Sequence, residues 1–300
     1  MDKIKDTIYN IKRFIVRNKL TGNLGKVVED DEKIICYVRN RKNKYTISCS
    51  GIRRSNQIMA EKYNLNKPIY YVIDGLNLKR HMTYIFGYDG CEVIIKNCNF
   101  GLELCINITG KCIIDNTNIT AHSWSSVYAT DLVVKNMNKD QIRVIGSNTH
   151  VCFAAHNSIS VIDSNIDVKA KNTNISFNAT NDLDIINSTI TSNKVECAAP
   201  NINVDKKSLL KASDSVAIES NDYSPVNIIA PIVILNDEEI KTKKEPITLK
   251  KITDPLAIKR LELINLLRNI KQQCEQISLE KISNYKEKIN NQPISKTLKK

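Results

Sequence analysis

Between residues 71 and 236, short runs of β-branched and apolar residues recur. Each is followed by a polar residue suited to a sharp bend, then by another apolar position. Five segments align: Ile73-Asp74-Gly75-Leu76-Asn77-Leu78, Ile95-Lys96-Asn97-Cys98-Asn99-Phe100, Ile114-Asp115-Asn116-Thr117-Asn118-Ile119, Ile162-Asp163-Ser164-Asn165-Ile166 and Ile186-Asn187-Ser188-Thr189-Ile190. Val134-Lys135-Asn136-Met137 fits the first half of the pattern. The leading residues step by 22, 19, 20, 28 and 24. Gly75, Asn97, Asn116, Asn136, Ser164 and Ser188 fall in the bend slot. Gly and Asn tolerate the left-handed backbone of a sharp bend, and stacked Asn side chains can hydrogen-bond along a ladder.

A step near 20 suits one coil of a parallel β-helix. A single coil cannot bury its inner face, but stacked coils share a continuous core. In Cys112-Ile113-Ile114 and Leu183-Asp184-Ile185 alternate side chains point inward. The pattern predicts an all-β solenoid, a right-handed parallel β-helix over residues 45–236, with unmarked coils at 195–204, 215–220 and 226–235. Roughly eight or nine coils spaced about 4.8 Å apart make a rod on the order of 40 Å long. A β-sandwich would show hairpin dipeptides between strands. A left-handed hexapeptide helix would need a strict six-residue period, which is absent.

These repeats resemble the right-handed β-helix proteins of the pectate-lyase-like superfamily, over about 190 residues. The resemblance implies the fold. For function it implies either a polysaccharide lyase, a glycoside hydrolase, a tailspike or a non-catalytic member.

The ends carry different patterns. Ile4, Ile8, Ile11 and Ile15 share one face of a helix expected over residues 3–20 and ended by Thr21-Gly22. Within residues 1–44, which also hold lead-in strands, this helix is expected to cap the rod. Its alternative role is that of a basic amphipathic helix on an anionic membrane. Residues 237–253 read as a Lys-rich linker. Asp254 and Pro255 start a C-terminal helix in residues 254–300, ahead of a basic tail. Leu263, Leu267, Ile270, Cys274 and Ile277 form a short seam that could pair chains into a homo-oligomer.

The net charge of +12 belongs to these ends. Residues 1–70 hold 16 Lys and Arg against 7 Asp and Glu, residues 71–236 hold 13 against 16, and residues 237–300 hold 15 against 9. Nucleic acid or an anionic surface would therefore meet the ends, not the rod. No run of 18 apolar residues occurs, and the first twenty residues lack a signal-peptide pattern, so the chain as written reads as cytoplasmic. The nine cysteines then read as thiols.

Candidate chemistry concentrates in two coils. His122, the single tryptophan Trp124, and Tyr128 lie between Ile119 and Leu132, and His150, Cys152 and His156 follow in the long coil. Aromatic faces there could stack on sugar rings, which makes His122, Trp124, Tyr128, His150 and His156 the candidate ligand-binding set and a polysaccharide the candidate partner. Alternatively, Trp124 packs over an apolar side and the histidines are ordinary surface residues. His and Cys are zinc-ligand types, but the spacing matches no zinc motif, and the residues call for no cofactor. Glycoside hydrolysis needs two carboxylates across a sugar. Asp74, Asp115 and Asp163 share one slot of the repeat, but separate coils hold them apart. Cys91, Cys98, Cys105 and Cys112, seven residues apart, fall on different sides of a three-sided coil and read as core thiols. The sequence thus points to a non-catalytic structural or binding rod, with a carbohydrate-binding or polysaccharide-degrading protein as the alternative.

Overall fold

A computed structural model of the chain describes residues 2–21, 25–39, 46–50, 54–79, 82–88, 90–146, 148–168, 170–242 and 246–249. All lie in the first of two units, residues 1–251. The helix, seam and tail expected over 254–300 lie outside the described residues.

The chain winds into an all-β parallel solenoid of about eight turns. Three columns of strands form its faces. On the first face, Ile34–Val38, Ile69–Asp74 and Glu92–Lys96 pair in parallel with the second halves of Leu104–Asp115, Trp124–Lys135 and His150–Ile162, then with Asp182–Ile186, Asn201–Val204 and Asp222–Tyr223. The second face stacks Thr46–Ser50, Thr83–Tyr88, the first halves of the same three long strands, Asn174–Ala179, the ends of Thr189–Ala198 and Leu209–Glu219, and Ile232–Leu235. The third face is made of short strands, beginning with Asn77–Leu78, Asn99–Phe100, Asn118–Ala121 and Ile142–Val144. A register shift between Ala129 and Asp131 turns the long strands from the second face to the first.

The core follows from alternation. Val38, Ile73, Ile95, Ile114, Val134, Val161, Ile185 and Val204 stack in one buried lane. The repeat was expected to lead with Ile162 and Ile186. They instead sit one position later, on the outer side of the lane, in register with Lys135. The bend slot shifts with them. Gly75, Asn97, Asn116, Asn136, Asp163 and Asn187 all have positive φ, between 44° and 67°. The corresponding steps are 22, 19, 20, 27 and 24. The Asn ladder is present in part: Asn116 Nδ2 donates to Asn97 Oδ1 at 2.8 Å, and Asn187 Nδ2 to Asp163 Oδ1 at 2.7 Å.

Ser164 and Ser188, expected at the bend, lie just inside it and are buried. Each hydroxyl accepts an amide from the neighbouring coil. Met137 N donates to Ser164 Oγ at 3.2 Å, Ser164 N to Ser188 Oγ at 3.0 Å, and Ser188 N to Ser208 Oγ at 3.0 Å. Ser188→Ala strands the buried amide of Ser164. It is expected to cost about 1–3 kcal/mol in chemical denaturation.

The seven-residue cysteine spacing does distribute the thiols. Cys91, Cys98 and Cys112 are buried, while Cys105 lies half-buried in register with outward Tyr84 and Ser126. None of the eight described cysteines is in a disulfide. Burial pushes the thiols of Cys112 and Cys197 up to about 12, and those of Cys36 and Cys98 to about 11. Thiolates react, not thiols. Near neutral pH a maleimide is therefore expected to modify, among these eight, Cys105 alone in the folded protein and every one after unfolding. Native-state labelling of Cys112 or Cys197 would contradict this packing.

Antiparallel strands flank the parallel column at both ends. Gly25–Glu29 pairs with Ile34–Val38, Glu238–Lys241 with Ile232–Leu235, and Ile247–Leu249 with Val226–Ile229. Residues 237–253, read above as a linker, thus supply two strands that satisfy the terminal backbone groups of the sheet. The N-terminal helix forms over Asp2–Leu20 (α1), and the amide and hydroxyl of Thr21 bond back to Arg17 O. A second helix, Arg54–Lys62 (α2), lies between the first two second-face strands. The isoleucine face of α1 was expected to plug the rod. Ile4, Ile8, Ile11 and Ile15 are instead exposed. No helix among the described residues is long and apolar enough to cross a membrane.

Candidate functional site

The second face gathers most of the candidate residues. Trp124 and His150 are direct partners in the parallel ladder, as are Tyr128 and Ala154, and His156 follows Ala154 on the same outward side. Trp124 is 43 % exposed and Tyr128 42 % exposed, so neither packs into the rod. His122 sits at the bend just before Trp124, with its side chain in solvent. Its backbone is fixed: the amide donates to Leu102 O at 2.9 Å, and the carbonyl accepts from Thr149 Oγ1 at 3.1 Å. Gly146 packs against that carbonyl so closely that a Cβ would lie 1.9 Å from the oxygen. The long coil is thereby anchored under the Trp124 end of the face.

His150 Nε2 lies 2.8 Å from Ser176 Oγ on the next coil, and the bond holds the ring against the sheet. Tyr128 is partly covered. Burial first, then the neighbouring thiols of Cys152 and Cys105, raise its phenol above the usual value. Asp131, where the strand turns, accepts from Asn157 Nδ2 at 2.6 Å and Ser158 Oγ at 2.8 Å.

The face extends beyond the expected set. On Thr83–Tyr88 the alternate residues Tyr84, Phe86 and Tyr88 project outward in a row. Neighbouring centroids are 6.3 Å apart and the planes lie within 13° of parallel. Phe86, Asn107 and Tyr128 are in register on successive coils, as are Tyr84, Cys105 and Ser126. The aromatics therefore lie on one surface, interleaved with amides and hydroxyls. The five segments 83–88, 104–109, 124–130, 150–156 and 174–179 contain no Lys, Arg, Asp or Glu. The T-Y-I-F-G-Y alternation was the available signal, but both of its phases are apolar, which hid the outward one.

The acids lie elsewhere. Asp74, Lys96, Asp115 and Lys135 stack in one column of the first face. Lys96 pairs with Asp74 and Lys135 with Asp115, each at 3.2 Å. The Asn97 amide, then Lys96, hold the Asp74 carboxyl below the usual range. Asp163, expected in the same slot, stands one position later, at the bend. Among the described residues no group of three or more His, Cys, Asp and Glu is placed to hold a metal ion.

Comparison of the chain with protein-family models, with curated proteins and with solved structures finds no match. The class is therefore defined by the architecture alone: a parallel β-solenoid with one sheet face that is uncharged over five coils and bears a group of exposed aromatic residues.

Proposed function

We propose that the protein is a non-catalytic binding rod whose second face docks an extended polysaccharide. One observation carries this: exposed Tyr84, Tyr88, Trp124 and Tyr128, with half-buried Phe86, share a sheet surface with no formal charge across five coils. Aromatic rings offer flat apolar area to the C–H faces of sugar rings, and the rigid ladder holds them at little entropic cost. The intervening Asn107 and Asn178 supply donors and acceptors for hydroxyl groups. Without cations, this surface suits a polyhydroxylated chain and not a nucleic-acid backbone. We take the coil to be right-handed and of the pectate-lyase-like kind, as the repeat resemblance implies. In this reading the paired Asp74 and Asp115 are structural.

The test is retention of the purified full chain on a panel of cellulose, xylan, chitin, pectin and alginate in affinity electrophoresis. Retardation by at least one polysaccharide, with no products released over a day, is the expected result. Free migration through every gel would overturn the reading, and release of oligosaccharides would make the protein an enzyme.

A further inference from the structure

Helix α1 is fastened to the rod by its polar side. The Arg13 guanidinium pairs with Glu29, and its Nε donates to Tyr63 O at 3.0 Å. Arg17 Nη1 lies 3.8 Å from Glu29 and Lys67 Nζ 3.2 Å from it. That carboxylate is only 8 % exposed and gathers all three cations. The Tyr9 ring meets Tyr63 at 5.4 Å, and Leu20 is buried. At about 100° per residue, Arg13 and Arg17 point away from the arc that holds Ile4, Ile8, Ile11 and Ile15. Those four isoleucines are 47–66 % exposed, and Phe14 beside them 55 %. Rotating the helix to bury them would take Arg13 and Arg17 from the buried Glu29 carboxylate and leave it Lys67 alone of its three cations.

Charge identifies what covers the ridge. Lys5, Lys12 and Lys19 are exposed along one flank of the isoleucine arc. Asp6 lies on the side of Arg13 and Arg17 by the same helical geometry. An apolar ridge beside a row of lysines fits an anionic lipid surface, with the lysines among the headgroups. A second copy fits poorly. The ridge from Ile4 to Ile15 is about 17 Å long. A stable protein interface buries about 800 Å² per partner, more than five side chains on one helix supply.

We propose that α1 is an interfacial helix that seats the rod on anionic membranes, with Ile4, Ile8, Ile11, Phe14 and Ile15 entering the acyl boundary. This surface is separate from the polysaccharide face and stands or falls independently of it. The test is co-sedimentation of the full chain with phosphatidylcholine vesicles, pure or containing about 30 % phosphatidylserine. Binding to the mixed vesicles alone is expected. It should fall at least about tenfold in the double variant Ile8→Asp, Ile15→Asp, and also when Lys5, Lys12 and Lys19 become Ser. All these positions are solvent-exposed, so an unchanged thermal melt should accompany the loss. The proposal is overturned if wild type stays in the supernatant, if the aspartates leave sedimentation unchanged, or if light scattering shows a dimer that they dissociate.

Discussion

Phe177→Ala is expected to destabilise the solenoid by about 3–5 kcal/mol. Phe177 is fully buried and stacks on Phe153 one coil away, with centroids 5.2 Å apart and planes 9° from parallel. The two are ladder partners, and Val127 and Cys197 occupy the same lane on the flanking coils. Backbone hydrogen bonds fix the spacing of neighbouring coils, so the lane cannot close over a missing ring. The variant therefore loses both the transfer energy of the side chain and the contacts lining the cavity. Because each coil touches only its neighbours, the loss should appear as early unfolding of the middle coils. Urea melts followed by hydrogen exchange read this directly. Tyr88→Ala, on the exposed side of the same sheet, should shift stability by no more than about 0.5 kcal/mol. If the two substitutions cost the same, the inward and outward assignments of the second face are wrong.

The second large effect is on binding. Replacing Tyr84, Tyr88 and Trp124 together by Ala is expected to weaken affinity for a retained polysaccharide at least about 30-fold, near 2 kcal/mol. All three side chains are exposed, so the melting transition should stay close to wild type. Calorimetric titration measures the affinity. A change of less than about twofold would show that the aromatic row is not the contact surface.

Much of the architecture was legible because a solenoid repeats its constraints. Ile73, Ile95, Ile114 and Val134 mark successive coils correctly, since a Lys or Asp separates each from the bend. The reading slipped by one residue at Val161-Ile162 and Ile185-Ile186. There the outward slot is also apolar, so hydropathy cannot tell the two sides apart. Asp163 and Asn187, which take positive φ, were the better markers. The slip also aligned Asp163 with Asp74 and Asp115, and so mistook a bend residue for part of a charged column.

At the candidate site, residue type singled out Trp124, Tyr128, His150 and His156, and register placed them on one face. Tyr84, Phe86 and Tyr88 belong to the same surface through pairings to residues about twenty positions away, and no local pattern reports which side of a strand faces out. The orientation of α1 was illegible for a similar reason. Its isoleucine periodicity favours burial, but contacts of Arg13 with Glu29 and Tyr63, 16 and 50 positions away, turn that face outward.

The central claim, that the second face receives a sugar chain, has a reporter built in. Trp124 is the only tryptophan in the chain, and it is exposed on that face. Its fluorescence, followed while a retained polysaccharide or its oligomers are titrated in, tests the claim most directly. The account predicts a saturable change in intensity and a shift to shorter wavelength, with the midpoint at the calorimetric affinity. Saturating binding with the emission of Trp124 unchanged would place the sugar elsewhere on the molecule and contradict it.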